Sequence, residues 1–479
     1  MCAEAAARGV PATLVLNGDV FDMLRIEPSG GAADGPAPAR RFGPLPTPPL
    51  AARMMADVLA GHPVFVAALA DVLAAGQEIV AISGNHDLEV QWPEVQGEVR
   101  RAVGAALAAR GAPAALEGLR FESWFHHEPG RIWIEHGCQY DPENAFRFPL
   151  RSKLAASPAV ADVAERDMPL GNFFQKYLYN AFGSISFIVP SSRANYRYFR
   201  FLLANQPRLL FHIARSQGRF VLQLARRLAR PPDPETRRAA EAAHDAELEE
   251  LAARSGLGER LRAVAALRLQ GKDAAHAISG MLRQALKLAV GSLLVAVVAL
   301  AVLTASSHAI EALKVGFGLK ALLSLVLYLS FGALAAVALV AAAIRVPRDE
   351  PPRPLRAAAE RIATLLDVPL VTFGHTHEEV VAPIRRASGT GWYFNTGTWV
   401  AVFTHDVLVP RQRVQYTFLR VRGHDADLLQ WSPGRERPMP VVLLEEEAVL
   451  PPAVDVAPPT SGAVVPGPAS APETHRTSA

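Results

Sequence analysis

The sequence predicts an α/β domain that is interrupted by a long helical insertion. Apolar runs of strand length alternate with helical patterns up to about residue 150, and similar strand-like runs return from residue 369. The chain between them has a helical pattern and contains two long apolar segments. These observations indicate that two halves of one α/β domain flank an all-α insertion.

Short runs rich in β-branched and aromatic residues predict the strands of this domain. In chain order they are Thr13–Leu16, Glu78–Ser83, Leu119–Trp124, Arg131–Glu135, Pro369–Phe373, Trp392–Asn395, Trp399–Phe403 and Val414–Val421. Helical patterns around Ala51–Ala75 and Glu94–Arg110 connect the early strands. Alternation of strands with helices is typical of a parallel sheet with helical crossovers.

Changes in composition divide the chain into five segments. They are the first part of the α/β domain at 1–150, a helical basic insertion at 151–278, an apolar hairpin at 279–345, the second part of the domain at 355–435, and a Pro-rich disordered tail at 436–479. The chain has no internal repeat.

The apolar hairpin is the main source of the positive mean hydropathy of +0.14. Leu288–Ser307 holds 20 residues without a formal charge, and Ala321–Ile344 holds 24. About 20 residues of helix cross a bilayer core, so these segments predict a transmembrane hairpin, with a pair of buried core helices as the alternative. Basic residues are more numerous in the flanks than in the connecting loop, which predicts a multi-pass inner-membrane protein with its α/β domain in the cytoplasm.

Overall composition excludes several classes of protein. Lys and Arg number 49 against 46 Asp and Glu, and the net charge of +3 excludes a nucleic-acid binder that works by bulk charge. A hydrophobic content of 50% excludes a mainly disordered chain. Two cysteines, Cys2 and Cys138, cannot form a disulfide framework and favour a reducing compartment.

The insertion contains a strongly basic stretch. From Met168 to Pro232 there are ten basic residues and no Asp or Glu, with aromatic and aliphatic residues interleaved. Beside a membrane hairpin, this composition predicts contact with anionic lipid headgroups. A basic helical face in solvent is the alternative, and no motif supports nucleic-acid binding.

Polar side chains with metal-binding capacity follow four of the predicted strands. The clusters are Asn17-Gly18-Asp19-Val20-Phe21-Asp22, Ser83-Gly84-Asn85-His86-Asp87, His136-Gly137 and Gly374-His375-Thr376-His377. Each cluster alone also fits an ordinary turn, but ligands gather at the carboxyl ends of strands in open α/β sheets, so the four can converge. Carboxylate, amide and imidazole ligands without thiolate suit Mn²⁺, Fe or Zn²⁺, and two such ions can promote phosphoryl displacement.

The ordered set of four clusters resembles the calcineurin-like metallophosphoesterase superfamily over residues 1–150 and 355–435. The resemblance implies a two-layer β-sandwich flanked by helices, two divalent metal ions, and attack of a metal-bridging hydroxide on phosphorus. It also implies a role for each matched residue. Asp19 would bridge the metals, Asn85, His136 and His375 would ligate one metal, His377 would ligate the other, and His86, braced by Asp87, would stabilise the transition state or protonate the leaving oxygen.

One family motif is absent from the chain. The superfamily has Asp-x-His at the end of its first strand, which supplies ligands to the metal that His377 would bind, and no Asp-x-His occurs here. Two explanations compete: the sequence begins too late, which its opening in a helical pattern favours, or the site is degenerate. We therefore expect one of the two metal sites to be incomplete in the chain as written.

A narrower resemblance concerns the segment after the third cluster. His136-Gly137-Cys138-Gln139-Tyr140-Asp141, followed by Asn144-Ala145-Phe146-Arg147, is similar to UDP-2,3-diacylglucosamine diphosphatases. Those enzymes cleave a lipid-linked pyrophosphate at the inner membrane and carry a helical insertion at this position. They have arginine where this chain has His86, which weakens transfer of the substrate.

The resemblances imply a membrane-anchored phosphoesterase. Its expected substrate is a phosphorylated small molecule or a lipid-linked phosphate ester or pyrophosphate, and no nucleic-acid or protein partner is predicted. One alternative is a tethered phosphodiesterase or protein phosphatase for soluble substrates. Another is a non-catalytic membrane scaffold with a degenerate metal site.

Overall fold

The computed structural model describes residues 2–26, 46–150, 234–269, 274–344, 354–399 and 416–441, and a few isolated positions between residues 168 and 215. It divides into two compact units, Met1–Ala274 with Pro354–Ala479, and Ala275–Arg353. The first unit is mixed α/β and the second is helical. Most of the basic stretch, the predicted strand at 400–403 and the tail from residue 442 lie outside the described residues.

The elements of the described chain follow the predicted alternation of strands and helices. The α-helices are α1 (Cys2–Ala7), α2 (Pro48–Gly61), α3 (Pro63–Ala74), α4 (Pro93–Ala108), α5 (Pro234–Arg254), α6 (Glu259–Ala265), α7 (Ala274–Ala312), α8 (Phe317–Ile344) and α9 (Pro354–Leu366). The strands are β1 (Thr13–Asn17), β2 (Glu78–Ile82), β3 (Leu119–Glu122), β4 (Phe125–Glu128), β5 (Ile132–Glu135), β6 (Leu370–Phe373), β7 (Glu379–Arg386), β8 (Gly389–Thr396), β9 (Thr417–Arg422), β10 (Asp425–Ser432) and β11 (Arg437–Pro440).

The first sheet is parallel and has the order β1-β2-β3. Its strands are joined by helical crossovers, because parallel neighbours cannot be connected by a tight turn. Met54 and Met55 of α2, Leu69 of α3 and Val99 of α4 form one buried cluster with Ile79 of β2. This cluster holds the carboxyl ends of β1 and β2 side by side.

The predicted helix Ala51–Ala75 is wrong, because the structure contains two helices there that meet at 89°. The break falls at His62, whose φ of −125° and ψ of 57° are not helical. Proline disfavours a helical conformation in the residue before it, and Pro63 begins α3. The bend lets both helices bury apolar side chains against the same sheet.

The second sheet has five strands in the order β4-β5-β6-β8-β7. β5, β6 and β8 are parallel, and β4 and β7 add antiparallel edges. Alternate residues face opposite sides: Trp133 packs toward a cluster with α5, α6 and α9, whereas Ile132 packs toward β10. Burial on both faces explains why β5 and β6 are continuous apolar runs.

The third sheet is antiparallel, with the order β11-β10-β9. Ala426 and Leu428 of β10 pack against the five-stranded sheet together with Phe394 of β8. β11 lies within 436–479, so the prediction that the tail begins at residue 436 is wrong. The pairing of Trp431 with Pro438 carries the ordered chain past that boundary.

The second unit consists of two long helices, α7 and α8, which are joined by residues 313–316. The segment that connects them is shorter than the predicted link Ser307–Lys320, because α7 continues to Ala312 and α8 begins at Phe317. Where the side chains are described, no single helix in the structure has both the length and the apolar character needed to cross a bilayer. Within the described ranges, α2 and α3 taken together meet those criteria as a sharply bent pair, and both contribute to the core of the first unit.

Candidate metal centre

The ends of four strands bring the predicted ligands together. Asp19 follows β1 and Asn85 follows β2, while His136 follows β5 and His375 follows β6. β1 and β2 are parallel, as are β5 and β6, so all four residues lie at the carboxyl ends of strands. The predicted convergence of the four clusters is therefore present in the structure.

The distances within this group are short. His136 Nε2 lies 3.1 Å from Asp19 Oδ2 and 3.1 Å from Asn85 Oδ1. His375 Nδ1 lies 3.1 Å from the same Asn85 oxygen. One ligand atom each from Asp19, His136 and His375 lies within 4.8 Å of the others. Side chains from distant parts of the sequence thus point at one small volume.

The hydrogen bonds of the two outer ring nitrogens, His136 Nδ1 and His375 Nε2, indicate the protonation state of the nitrogens that face the group. His136 Nδ1 lies 3.0 Å from the Asn17 carbonyl oxygen, and His375 Nε2 lies 3.0 Å from Asp141 Oδ2. Both partners only accept, so these nitrogens carry the protons of the neutral rings. The inward nitrogens are then lone-pair donors to a cation. They face the Asp19 carboxylate and the Asn85 amide oxygen, which are also able to bind a cation.

The pKa shifts of Asp19 and His136 also indicate that the group is stabilised by a positive charge. Burial raises the pKa of Asp19, but His136 and His86 lower it more, so it lies below the usual 3.8. Burial lowers the pKa of His136, but the Asp19 carboxylate outweighs this effect and holds it above 6.5. A proton on His136 thus stabilises the group when no metal is bound. A divalent ion can replace that proton.

Backbone strain is concentrated at these loops. Of the six non-glycine residues with positive φ in the described chain, three are predicted ligands: Asp19 at 51°, His375 at 68° and His377 at 60°. Left-handed backbone is uncommon for residues with a side chain, and it clusters at functional sites. Packing and hydrogen bonds around these turns must stabilise the strained backbone that orients the three side chains.

His377 lies outside the group defined by the 4.8 Å limit. Its Nδ1 is buried and has no hydrogen-bond partner. Burial is the largest cause that lowers the pKa of His377 to about 3; the Asp19 carboxylate raises this pKa, and the neighbouring histidines lower it. Its ring is therefore neutral, with a free lone pair, as a metal ligand requires.

Asp87 has a different role from the one predicted. It accepts hydrogen bonds from four backbone amides, those of Asp19, Val20, Phe21 and Gly84, at 2.6–3.2 Å. The prediction that Asp87 braces His86 is therefore wrong. Its carboxylate instead ties the loop after β1 to the loop after β2, which fixes the position of Asp19. Burial and the Asp19 carboxylate raise the pKa of Asp87 to about 6.

Asp22 takes the place predicted for Asp87. Its Oδ1 lies 3.0 Å from His86 Nδ1, and the His86 amide donates to Asp19 Oδ1 at 2.7 Å. Burial lowers the pKa of His86, but Asp19 and Asp22 outweigh it and raise the pKa to about 9. The ring is about one quarter exposed. His86 is thus a partly accessible imidazolium beside the ligand group.

The sequence interpretation missed two residues that support the ligands. Asp141, beyond its interaction with His375, accepts a hydrogen bond from Asn144. Asn172 contacts Asn85 through two hydrogen bonds. Asp141 lies five residues after His136, in the segment that resembles the diphosphatases, and this position could have indicated a supporting role. Asn172 lies in the helical insertion, and nothing in its sequence context predicts a role.

The donor set fits a borderline metal ion. The group offers a carboxylate oxygen, an amide oxygen and imidazole nitrogens, which together suit Mn²⁺, Fe or Zn²⁺. Cys138 is 6% exposed, and burial raises its thiol pKa well above 9.0, so a thiolate is not part of the set. The residues present therefore fit a divalent cation.

The chain was compared with known proteins at three levels. It matches no protein-family model, no curated protein and no solved structure.

Proposed function

We propose that this chain is a metal-dependent phosphoesterase that acts on a phosphate ester or pyrophosphate. The observation that carries this proposal is the group of lone-pair donors from four strand ends, Asp19, Asn85, His136 and His375, facing one volume. His377 would bind a second ion. The proposed architecture is a two-layer β-sandwich flanked by helices, in which the first and second sheets contribute two ligand loops each.

Divalent ions bound at such a site supply an activated water and neutralise charge on the phosphoryl group. The chain's own residues would do the rest. His136 and His375 would hold one of the ions through ring nitrogens, and the orientation of the two rings is fixed by Asn17 and Asp141. His86, protonated at neutral pH because its pKa is about 9, would donate to a phosphoryl or leaving oxygen.

The helical hairpin would anchor the enzyme to a membrane, with the α/β domain in the cytoplasm. Val295 is 68% exposed, Leu300 is 61% exposed and Leu329 is 63% exposed in the structure. Apolar side chains that are exposed along a long helix are typical of an interaction or membrane surface. An anchored site favours a substrate that is presented at the membrane, including a lipid-linked pyrophosphate.

The proposal is tested with the full-length chain purified in detergent and loaded with Mn²⁺, Fe²⁺ or Zn²⁺. Hydrolysis of an aryl phosphodiester and of a lipid-linked pyrophosphate is measured for the unaltered chain, for Asp19→Asn and for His375→Asn. Each variant replaces a carboxylate or imidazole ligand by a neutral and shorter or weaker amide ligand, so activity is expected to fall by about 100-fold. His424→Asn is the matched control, because His424 is exposed and distant in sequence from the four clusters.

The two assays also separate the alternatives. Greater activity on the aryl phosphodiester than on the lipid-linked substrate would indicate a tethered enzyme for soluble substrates. Metal binding without hydrolysis of either would indicate a non-catalytic scaffold. Activity that persists in the Asp19→Asn and His375→Asn variants would contradict the proposed site.

A further inference from the structure

A pair of asparagines links the helical insertion to the candidate metal centre. Asn172 belongs to the insertion and is only 4% exposed. Its Nδ2 donates to the Asn85 carbonyl oxygen at 2.7 Å, and its Oδ1 accepts from Asn85 Nδ2 at 3.1 Å. The amide nitrogen and the amide oxygen of Asn172 therefore both form hydrogen bonds with Asn85, which is a proposed metal ligand.

This pairing decides which atom of Asn85 faces the histidines. A backbone carbonyl only accepts, so the Asn172 atom against it must be the amide nitrogen. The Asn172 oxygen then faces Asn85 Nδ2, which leaves Asn85 Oδ1 on the other side, 3.1 Å from His136 Nε2 and from His375 Nδ1. The opposite orientation would place an NH₂ group against the cation position and exclude a metal.

A second connection joins the same segment to His375. The Gly171 amide donates to the Glu143 carbonyl oxygen at 2.8 Å. A Cβ atom at Gly171 would lie 2.0 Å from Asn144 Oδ1, so only glycine permits this approach. Asn144 Nδ2 donates to Asp141 Oδ2 at 2.8 Å, and that oxygen contacts His375 Nε2. Gly171 and Asn172 of the insertion thus pack against the residues that support two proposed ligands.

We propose that Asn172 is a positioning residue of the metal centre, which holds the Asn85 side chain so that its oxygen is presented to a divalent cation. This inference rests on the proposed function for the presence of the metal. It gives the insertion a part in the site itself, in addition to any contact with a membrane. Residues that orient metal ligands in this way contribute strongly to affinity.

The test is calorimetric titration of Mn²⁺ into the full-length chain in detergent. Asn172→Ala removes both hydrogen bonds, and Asn172→Leu removes them while keeping the buried volume. Each is expected to weaken Mn²⁺ binding by about 10–100-fold. In an Asn85→Ala background, Asn172→Ala is expected to cause no further loss, because its effect passes through Asn85.

Gln91→Ala is the matched control. Gln91 is also an amide with several hydrogen bonds, to Ser83, Ser123 and Pro149, and none of these is a proposed ligand. It is expected to lower the melting temperature without changing Mn²⁺ affinity. Circular dichroism establishes that each variant is folded, and Asn172→Leu serves if Asn172→Ala unfolds.

The outcomes separate the two proposals. An unaltered chain that binds no divalent metal would overturn the proposed function and this inference together. Two results would overturn the inference alone and leave the proposed function in place. One is an unchanged Mn²⁺ affinity in the Asn172 variants. The other is an equal loss of Mn²⁺ affinity from Asn172→Ala in the unaltered chain and in the Asn85→Ala background.

Discussion

At the scale of single residues, the site depends on close backbone contacts as much as on the ligands. Gly84 allows the loop after β2 to meet the loop after β1, because a Cβ there would lie 2.2 Å from Asp19 Oδ1. Asp87, which is 1% exposed, then joins the two loops through backbone amides. The carboxylate of Asp19 is therefore positioned by contacts within the protein itself.

Asp87→Asn is expected to destabilise the fold. The substitution replaces one acceptor oxygen by an NH₂ group that faces backbone N–H groups, which leaves buried donors without partners. The free energy of unfolding is expected to fall by about 1–3 kcal/mol, measured by chemical denaturation. Asp425→Asn is the control, since Asp425 is exposed at the start of β10. Equal stability of the two variants would contradict the role assigned to Asp87.

At the scale of elements, the five-stranded sheet holds the second pair of ligand loops. Phe394 of β8 has no exposed surface and packs between the five-stranded sheet and β10. β8 pairs with β6 in parallel, and the register places Asn395 opposite Phe373. Asn395 in turn donates to the Gly374 carbonyl oxygen at 2.6 Å, which steadies the loop that carries His375.

Phe394→Ala is expected to lower the free energy of unfolding by about 3–5 kcal/mol, because it leaves a cavity between two sheets. Denaturant titration followed by circular dichroism measures the change. Thr390→Ala on the same strand is the control, since Thr390 is exposed and its substitution is expected to change stability by less than about 0.5 kcal/mol. A loss of similar size at both positions would show that strand propensity, rather than packing, is responsible.

At the scale of the whole molecule, the exposed apolar side chains are unevenly distributed. Those of the second unit include Val298 at 54% and Leu325 at 55% exposure, whereas the described part of the first unit buries most of its large apolar side chains. Exposed surface of this composition is unfavourable in water by about 25 cal/mol per Å². The hairpin is therefore the part of the chain that we expect to enter a membrane.

Flotation of the full-length chain with liposomes tests this expectation. The double variant Val298→Glu and Leu325→Glu is expected to reduce the liposome-bound fraction, because a charge in the middle of a membrane helix costs a few kcal/mol. Val64→Glu is the control, as Val64 is 81% exposed but lies on α3 in the α/β unit. Equal flotation of the double variant and the control would contradict the proposed anchor.

Local patterns predicted the central strands of the first two sheets, but not β10, the central and largely buried strand of the third sheet. β2 and β6 are central strands, and their apolar runs are followed directly by polar residues, so both the strands and the clusters after them were predicted. The edge strands β4, β7 and β11 were not predicted, because they contain His, Glu, Arg or Pro and obtain their pairing from neighbours that are distant in the chain.

The sequence by itself determined the α/β character of the domain, the two long apolar segments of the helical insertion, and the polar clusters after four strands that contain Asp19, Asn85, His136, His375 and His377. Each of these follows from composition or from the order of residues along a short segment. Only the tertiary structure decided that Asp22 holds His86, that Asp87 joins two loops, and that Asn172 orients Asn85. Those contacts join residues that are 64 to 87 positions apart, and such pairings depend on how the strand ends pack, which no local pattern specifies.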